Sequence, residues 1–549
     1  MVDSIGITNY KAFKTANINI SPLTLLMGGN SSGKSSIVKL LLMLSQSIKS
    51  NSSSILDSYG TLTDLGSIDN LFHNKDTSKP IKLEFDFGAI NSGKINKNIA
   101  LSLFLCLHDL FVSTPYNEKT TNEYKDWLKN HKITKIIDSI TQSELIDILE
   151  KGIGTLEPAI KTNHTNEPIK KDFKSLVNPI ELEKELSLKN KLQNLKDSVT
   201  TLKNLVGMNI ISSISIEISK IDKQLKPSNI IIESNLGEIE LSFISKKSNR
   251  VSFNVNSNFL DTKKINSSKK RLKDSITIYD DGLSASTIMS SNKDLNNIIY
   301  STGPVYPIKY ILESVKELIF DDFEINAVHH VGPLRFNPDR YFLMVNNDDG
   351  RNFSNSGSKI LKRLKEDSKL RKDINKWMNR FDFEIDTSDI NDIIHSIKVT
   401  DNGLSLDITD VGFGISQVLP VILISLAVNK NDLVIIEQPE VHIHPKMQSA
   451  LADFFIEQIK TKEAFYIIET HSEAILKRIR RRMAENSSDK NIGISNDDVT
   501  IHFFEKQRKR RSGAIIKNAG ISATGNFEWP SDFRENDIED MFEFMKHQG

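Results

Sequence analysis

Short apolar runs and polar turns alternate over the first ninety residues of the chain. Residues 4–10 and 16–20 show strand-like alternation, and residues 23–27 form an uninterrupted apolar run. A glycine- and serine-rich loop follows, and apolar positions then recur at helical spacing over residues 35–48. The pattern predicts a strand, a tight loop and a helix in direct succession, with a further strand at residues 81–87.

Alternating strands and helices return after residue 325. Predicted strands cover residues 327–332, 404–408, 433–436 and 464–468, and predicted helices cover residues 416–428, 446–459 and 473–483. This alternation is typical of a parallel sheet covered by helices, which places the fold in the α/β class. We therefore expect one head built from both ends of the chain, residues 1–108 and 301–549, with residues 109–300 inserted as a mainly helical region.

The inserted region contains one orderly stretch. Apolar residues alternate spacings of four and three, as in a coiled-coil seam, at Leu188, Leu192, Leu195, Val199, Leu202 and Val206. Residues 211–225 repeat this spacing, which suggests a short antiparallel helical hairpin. Because Ile214, Ile216 and Ile218 also alternate with period two, a strand is the open alternative for the second arm. The hairpin is either core packing of the insertion or an arm that binds a partner.

Composition narrows the class of protein. The 549 residues include 71 basic and 71 acidic side chains, so the net charge gives no global reason to expect a nucleic-acid or membrane partner. The single cysteine, Cys106, excludes a disulfide framework. The longest apolar run, residues 418–428, is about half of the roughly 20 residues that a membrane-spanning helix needs, and it contains Pro420. We expect a cytoplasmic protein with no membrane segment.

The loop after the third predicted strand carries the first recognisable chemistry. Residues 28–35 read Gly-Gly-Asn-Ser-Ser-Gly-Lys-Ser, the phosphate-loop (Walker A) pattern, and they lie between a strand and a helix, as that pattern requires. Backbone N–H groups of such a loop surround nucleotide phosphates, its lysine contacts the β- and γ-phosphates, and its serine hydroxyl binds Mg²⁺. The sequence predicts ATP and Mg²⁺ as ligands, held by Gly28, Asn30, Ser31, Ser32, Gly33, Lys34, Ser35 and Ser36.

A buried strand that ends in a carboxylate supplies the second half of such a site. Glu437 follows the apolar residues 433–436 and is the predicted second Mg²⁺ ligand beside Ser35. Gln438 follows it, where ABC-class ATPases usually carry the glutamate that polarises the attacking water. An amide orients water but cannot accept its proton, and general-base catalysis contributes about 10²–10⁴-fold. Slow hydrolysis is therefore expected, unless Glu440 takes over as the base.

Three further motifs occur in an order that identifies a family. Residues 437–445 (Glu-Gln-Pro-Glu-Val-His-Ile-His-Pro) resemble the extended Walker B and D-loop region of the OLD (overcoming lysogenization defect) class of ABC ATPases. Residues 410–417 (Asp-Val-Gly-Phe-Gly-Ile-Ser-Gln) stand where that class has its signature segment, and residues 469–472 (Glu-Thr-His-Ser) are similar to its switch-histidine motif. The resemblance covers residues 1–90 and 325–549 and implies an ABC-type P-loop ATPase head.

The resemblance also implies a dimer. In this class the signature segment of one subunit covers the ATP bound to the other, so a head-to-tail homodimer with two shared nucleotides is expected. Gly412 and Gly414 would let the backbone approach the γ-phosphate, and Ser416 or Gln417 would donate hydrogen bonds to it. His471 would contact the γ-phosphate as the switch residue. Taken alone, the two glycines are also typical of a simple turn.

Two short segments narrow the resemblance to stand-alone ATPases of bacterial antiphage systems: residues 331–335 (Val-Gly-Pro-Leu-Arg) and 525–530 (Gly-Asn-Phe-Glu-Trp-Pro). The chain is most similar to the PtuA ATPases of Septu systems, including retron-associated versions, and next to the AriA ATPases of PARIS systems. The likeness implies a sensor and scaffold that controls a separate nuclease subunit, with the HNH type favoured. Retron-associated versions add a reverse transcriptase with its RNA–DNA hybrid.

The same family sets an expectation about nuclease chemistry. Larger relatives carry a Toprim nuclease domain, and the residues that follow His471 are too few for one, so we expect no nuclease activity in this chain. The alternative function is that of a DNA-repair clamp of the RecF or structural-maintenance kind.

Four further residues have open interpretations. His442 and His444 have a spacing that suits a zinc-binding pair, but no cluster of cysteines or carboxylates accompanies them, which favours packing in the D-loop. Lys11 stands where similar ATPases place a basic residue near the nucleotide, although a solvated lysine fits equally. No convincing Q-loop glutamine stands out; Gln46 lies within the first helix, where a structural role fits equally.

Two basic clusters, residues 477–482 and 506–511, depart from the neutral average. Such clusters attract a nucleic-acid backbone through counterion release and without sequence preference. A solvated helix end and a solvated hairpin loop are the alternative.

Overall fold

The computed structural model describes residues 2–49, 54–87, 211–256, 328–343, 357–486, 493–507 and 513–526, some of these ranges with short internal gaps, and scattered positions in residues 146–203 and 546–547. Several sequence expectations lie outside the described residues, namely those on Cys106, Leu188, Leu202, Val206 and residues 508–511 and 527–530.

The strands, in chain order, are β1 (Ser4–Tyr10), β2 (Phe13–Asn19), β3 (Leu23–Gly28), β4 (Ile81–Asp86), β5 (Ile211–Ile221), β6 (Gln224–Ser234), β7 (Gly237–Phe243), β8 (Val251–Asn256), β9 (Val328–Val331), β10 (Phe342–Leu343), β11 (Phe383–Asp389), β12 (Ile394–Asp401), β13 (Leu404–Asp407), β14 (Leu433–Glu437), β15 (Phe465–Glu469), β16 (Val499–Lys506) and β17 (Ala514–Asn518). The α-helices that the structure describes from end to end are α1 (Lys34–Lys49), α2 (Gly357–Glu366), α3 (Ser368–Met378), α4 (Phe413–Ala427), α5 (Pro445–Lys462) and α6 (Glu473–Asn486).

A six-stranded sheet in the order β17-β16-β3-β15-β14-β9 forms the centre of the head. All neighbouring strands in it are parallel except β17, which runs antiparallel to β16. The four residues 433–436 of β14 are fully buried, because helices and strands cover both faces of a parallel sheet. The expected α/β class is confirmed, and both ends of the chain contribute strands to this sheet.

A second, antiparallel sheet has the order β2-β1-β4-β5-β6-β7-β8. Its last four strands come from residues 211–256, so this part of the expected insertion extends the N-terminal sheet. The helix suggested for the second arm of the hairpin is wrong, and the strand alternative is correct: Ile214 and Ile218 are buried while Ser212 is exposed. Pro227 lies opposite Ile218 at a register shift between β5 and β6, a position that tolerates proline.

The first arm of the hairpin is helical at its described positions, which lie between residues 192 and 203, and Leu192, Leu195 and Val199 are buried there. Its partner is a second helical stretch within residues 146–157. Two ion pairs join the stretches, Lys196–Glu157 at 2.6 Å and Lys203–Glu150 at 3.0 Å. The heptad pattern therefore marks a helix pair, but the partner precedes it in the chain.

The remaining helices cover the sheets. In α4, Val418, Leu419, Val421, Ile422 and Leu423 are fully buried, as expected for a core helix that contains Pro420. The small sheet of β10 to β13 packs with α2 and α3 at one side of the head. Among the described helices, none is long and apolar enough to cross a membrane.

Candidate nucleotide site

The phosphate loop connects β3 to α1 and depends on two glycines with left-handed backbone angles. Gly28 has φ 137°, and a Cβ there would lie 2.3 Å from the Phe504 carbonyl oxygen of β16. Gly33 has φ 108°, and its Cβ would lie 2.8 Å from Cζ of Phe13. Side chains at either position would strain the loop or force its neighbours apart. Both positions of the loop therefore favour glycine.

Lys34 begins α1 and is 3% exposed. Its Nζ donates to the carbonyl oxygens of Gly28 at 2.9 Å and Gly29 at 2.8 Å, so the ammonium group spans the loop. Burial lowers the pKa of Lys34, while the carboxylates of Glu469 and Glu440 raise it. This places a positive charge at the inner face of the loop.

The loop opens into a pocket that brings together most of the predicted phosphate-binding residues. The pocket is lined by Ala12, Asn30, Ser31, Ser32, Gly33, Lys34, Ser35, Ser36, Gln438 and Glu469. Ser32 is 3% exposed, and its hydroxyl has no hydrogen-bond partner among the described residues. A buried, unpartnered hydroxyl is costly unless a ligand satisfies it. The donor set therefore fits a phosphate group and its Mg²⁺.

Glu469 is a site residue whose carboxylate the sequence analysis did not assign. It ends β15, and its carboxylate oxygens lie 3.2 and 3.3 Å from Ser35 Oγ and 4.0 Å from Lys34 Nζ. Burial and the nearby Glu437 raise the pKa of Glu469 to about 7, against the opposing effects of Lys34 and Ser35. The available signal was that both apolar strands, β14 and β15, end on a glutamate.

Glu437 makes no hydrogen bond with Ser35 among the described residues, and its expected role as a Mg²⁺ ligand beside Ser35 stays a prediction. Its Oε1 lies 2.8 Å from Nε2 of His330, which projects from the neighbouring strand β9. The Glu437 carbonyl accepts a hydrogen bond from Arg335 at 2.9 Å. In the central sheet, β15 lies between β14 and β3, the strand that leads into the phosphate loop.

Arg335 holds the backbone at the end of β14. This side chain is 6% exposed, and its Nη2 donates to the carbonyls of Glu437 and, at 3.0 Å, of Gln438. Its Nε and Nη1 have no partner among the described residues. Burial lowers the pKa of Arg335 to about 10, while Glu440 and Glu437 raise it. Arg335 ends the segment 331–335 that carries part of the family resemblance, but its role in the site was not predicted from the sequence.

Gln438 reaches the pocket, as expected for the residue beside the attacking water. It has a left-handed backbone (φ 48°), and its N–H donates to the Glu469 carbonyl at 2.7 Å. Left-handed angles are uncommon outside glycine and mark residues that their surroundings hold in place. Gln438 is therefore fixed by its main chain, and it lines the same pocket as the phosphate loop.

Glu440 has both carboxylate oxygens in hydrogen bonds within the chain, and its role as a substitute base stays a prediction. One carboxylate oxygen accepts from Thr470 Oγ1 and the other from the His471 N–H, each at 2.7 Å. Through these hydrogen bonds Glu440 holds the loop after β15 in place. The Nε2 of His471 is buried without a partner among the described residues. Burial, together with Lys34, lowers the pKa of His471 and favours the neutral imidazole.

The signature segment lies at the start of α4 and contributes no residue to this pocket. Gly412 is the exposed N-cap, and a Cβ there would meet nothing within 4 Å. Gly414 packs against the D-loop, where a Cβ would lie 2.7 Å from the His442 carbonyl oxygen. Ser416 and Gln417 are buried, whereas Asp410 and Gly412 are exposed at the start of the segment.

Other sequence candidates have structural roles. His444 Nδ1 accepts from the Lys446 N–H at 3.2 Å and caps α5. The described residues hold no group of metal ligands, so the zinc interpretation is not supported.

Gln46 donates to the Asp57 carbonyl and accepts from the Thr63 N–H, which fixes residues 57–63. Lys11 is not among the residues that line the pocket; burial and Lys39 lower its pKa.

The basic cluster on α6 is largely neutralised within the chain. Arg478 and Arg482 pair with Asp453 of α5 at 2.6 and 2.7 Å. Lys477 pairs with Glu473, Arg481 pairs with Glu485, and Arg480 donates to the Gly525 carbonyl. These contacts favour the interpretation of the helix as a solvated surface over a nucleic-acid interface.

The strand order, the phosphate loop and the carboxylates at the sheet edge define an ABC-type P-loop ATPase. The sequence model of the AAA ATPase domain family matches residues 1–476, so the chain belongs to that family and is an ATPase. No curated protein matches the chain.

Solved structures that are similar to the chain include two SMC head domains. The head from Pyrococcus furiosus, with an extended coiled coil and bound to the C-terminal domain of ScpA, is 10% identical over 98% of this chain and 99% of that chain (TM-score 0.30). The head from Thermotoga maritima is 7% identical over 94% and 98% (TM-score 0.31). TM-scores this low do not establish a common fold, so the family membership rests on the sequence match.

Proposed function

We propose that the chain binds ATP and Mg²⁺ as a cytoplasmic homodimer and hydrolyses the ATP slowly. In this proposal it acts as the sensor and scaffold of an antiphage complex that controls a separate nuclease. The proposed dimer is supported by one observation: the phosphate loop and the signature segment do not share a pocket within one chain. The phosphate loop, Gln438 and Glu469 share one pocket, whereas the exposed start of α4 at Gly412 is not part of it.

The residues of the site divide the work of such a reaction. Mg²⁺, when bound, neutralises phosphate charge as the γ-phosphoryl group is transferred to water. Lys34 and the loop N–H groups bind the phosphates, and the Ser32 hydroxyl gains a partner. His471, as a neutral imidazole with a buried Nε2, donates to or accepts from a group at the γ-phosphate. Gln438 orients water without removing its proton, which keeps the ATP-bound state long-lived.

Complementation between two inactive variants tests the shared site. Lys34→Ala removes the charge from the phosphate loop, and Gly412→Glu places a carboxylate at the start of α4, where the fold has open space. Each homodimer should be inactive. A mixed dimer has one complete site, formed by the loop of the Gly412→Glu chain and the signature segment of the Lys34→Ala chain. We expect the equimolar mixture to regain about a quarter of wild-type ATPase activity, because half of the random dimers carry one of two sites.

Gly520→Glu is the matched control, since Gly520 is exposed and a Cβ there also meets nothing within 4 Å. It should hydrolyse ATP like the wild type. Light scattering with and without ATP should show that Gly412→Glu, unlike Gly520→Glu, loses nucleotide-dependent dimerisation. Full inactivity of the mixture, with both variants folded and able to exchange subunits, would show that the two segments do not act across a dimer.

The defence role is supported by the motif resemblance at residues 331–335 and 525–530, and copurification tests it. The operon products should be purified together and their bound protein and nucleic acid identified. An HNH nuclease would support the PtuA interpretation, and a Toprim-like partner would support the AriA interpretation. A retron reverse transcriptase with RNA–DNA is expected only for a retron-associated version. ATP-dependent duplex binding by the isolated dimer, without a toxic partner, would favour the repair clamp instead.

A further inference from the structure

We infer that the Glu469 carboxylate and the Ser35 hydroxyl are the side-chain ligands of the Mg²⁺ ion. Glu437, on the neighbouring strand β14, supports this site without being the nearest carboxylate to Ser35. The inference rests on the ATP binding proposed above. It differs from the sequence expectation, which placed Glu437 beside Ser35.

The distances between oxygen atoms suit a shared cation. Ser35 Oγ lies 3.2 and 3.3 Å from the two carboxylate oxygens of Glu469. Mg²⁺ binds oxygen ligands at about 2.0–2.1 Å in an octahedron, so neighbouring ligand oxygens lie about 2.9 Å apart. The hydroxyl and the carboxylate are therefore already close to the separation that two adjacent Mg²⁺ ligands adopt. Only the hydroxyl proton needs to turn away.

Strand order gives Glu469 this position. β15 is the direct neighbour of β3, and Glu469 pairs in register with Leu26, two residues before the phosphate loop begins at Gly28. Glu437 stands one strand further away, does not line the pocket, and has Oε1 in contact with His330. A metal bound beside Ser35 therefore meets Glu469 first.

A cation beside Glu469 would also compensate its buried carboxylate. Its side chain is buried with Lys34 Nζ 4.0 Å away, and that ammonium group is the one that nucleotide phosphates attract. Buried carboxylates are stable when a cation or metal compensates them. The buried, unpartnered Ser32 hydroxyl in the same pocket independently indicates that a polar ligand belongs there.

Magnesium-dependent nucleotide binding tests the assignment without measuring turnover. Fluorescent mant-AMPPNP is titrated into the full chain in EDTA and in saturating Mg²⁺. The Kd in EDTA divided by the Kd in Mg²⁺ gives the factor by which the metal strengthens binding. Glu469→Gln should reduce this ratio by about tenfold or more, as expected for loss of a metal-site residue. Glu437→Gln, the matched control on the neighbouring strand, should reduce it less. Binding in EDTA should persist in both variants, because Lys34 and the loop are unchanged.

The outcomes separate this inference from the proposed function. An unchanged ratio in Glu469→Gln, or a reduction no greater than in Glu437→Gln, overturns the assignment while ATP binding stands. A wild-type chain that binds no mant-AMPPNP in either condition overturns the proposed function itself. If Glu469→Gln fails to fold, Glu469→Asp replaces it, since withdrawing the carboxylate by one methylene should also lower the ratio, and an unchanged ratio there counts against the assignment.

Discussion

Gln438 projects from a backbone position that its neighbours determine. Its N–H donates to the Glu469 carbonyl, and its own carbonyl accepts from Arg335. Replacement of the amide by a carboxylate should therefore change the chemistry without moving the side chain's starting point. We expect Gln438→Glu to raise the single-turnover rate of ATP hydrolysis by about 10²-fold, the lower end of general-base effects. The affinity for ATP should stay within about threefold, since Gln438 is not expected to carry nucleotide binding.

Gln438→Ala is the control for this prediction, measured at pH 8 where an added carboxylate is ionised. It should be slower than the wild type, because the water loses its orienting amide. A Gln438→Glu rate no higher than that of the wild type, combined with an unaffected Gln438→Ala, would contradict slow hydrolysis caused by the missing carboxylate. It would also require another base, and Glu440 has both oxygens occupied by the loop after β15.

At the scale of elements, the first turn of α4 packs closely against the backbone of the D-loop. A Cβ on Gly414 would lie 2.7 Å from the His442 carbonyl oxygen, a contact with backbone that cannot rotate away. Alanine gains about 1 kcal/mol over glycine within a helix, but overpacking typically costs about 1–3 kcal/mol. We expect Gly414→Ala to lower the free energy of unfolding by up to about 2 kcal/mol, measured by urea denaturation.

Gly412→Ser is the matched control for Gly414→Ala. It lies two residues earlier, has open space around its Cβ, and serine is a good N-cap residue. Its stability should stay within about 0.5 kcal/mol of the wild type. Equal stability of the two variants would show that the close approach of α4 to the D-loop does not constrain position 414.

The limits of sequence-based prediction also lie at this scale. Local periodicity gave the strands and helices on both sides of the phosphate loop, because each buries one regular set of apolar positions. It could not decide residues 211–225, since Ile214 and Ile218 are four apart, a spacing that fits both a helix and a strand. Pairing with β4 and β6 decides it.

The carboxylate that lies beside Ser35 could not be predicted for a related reason. The sequence shows that β14 and β15 each end on a glutamate, Glu437 and Glu469. It does not show which strand lies beside β3, because strand order depends on contacts between distant parts of the chain. The phosphate loop was predictable residue by residue since its chemistry is contained in eight consecutive positions.

At the scale of the whole molecule, the head is stable only if the two ends of the chain stay together. The central sheet pairs β3 from the N-terminal part with β15 and β16 from the C-terminal part. In addition to the strand pairing, Ser21 Oγ lies 2.6 Å from Thr500 Oγ1, and the Ala514 N–H donates to the Ala12 carbonyl. Ala12 also lines the nucleotide pocket, so the same junction that joins the two ends positions one wall of the site.

His502 lies at this junction and makes its stability depend on pH. The imidazole is fully buried, with Nε2 donating to the Asn19 carbonyl at 2.8 Å and Nδ1 in contact with the Asn518 side chain. Burial lowers the pKa of His502, against the raising effect of these hydrogen bonds. The unfolded chain therefore takes up a proton before the folded one does. The stabilisation is complete above about pH 6.5 and falls as the pH drops below it, by at most about 1.4 kcal/mol per pH unit for one proton.

Urea denaturation from pH 5 to 8 should show that His502→Gln loses this dependence of the unfolding free energy on pH. The control variant His547→Gln, at an exposed position, should keep it. Parallel stability curves for the wild type and His502→Gln would mean that the junction does not titrate through this residue.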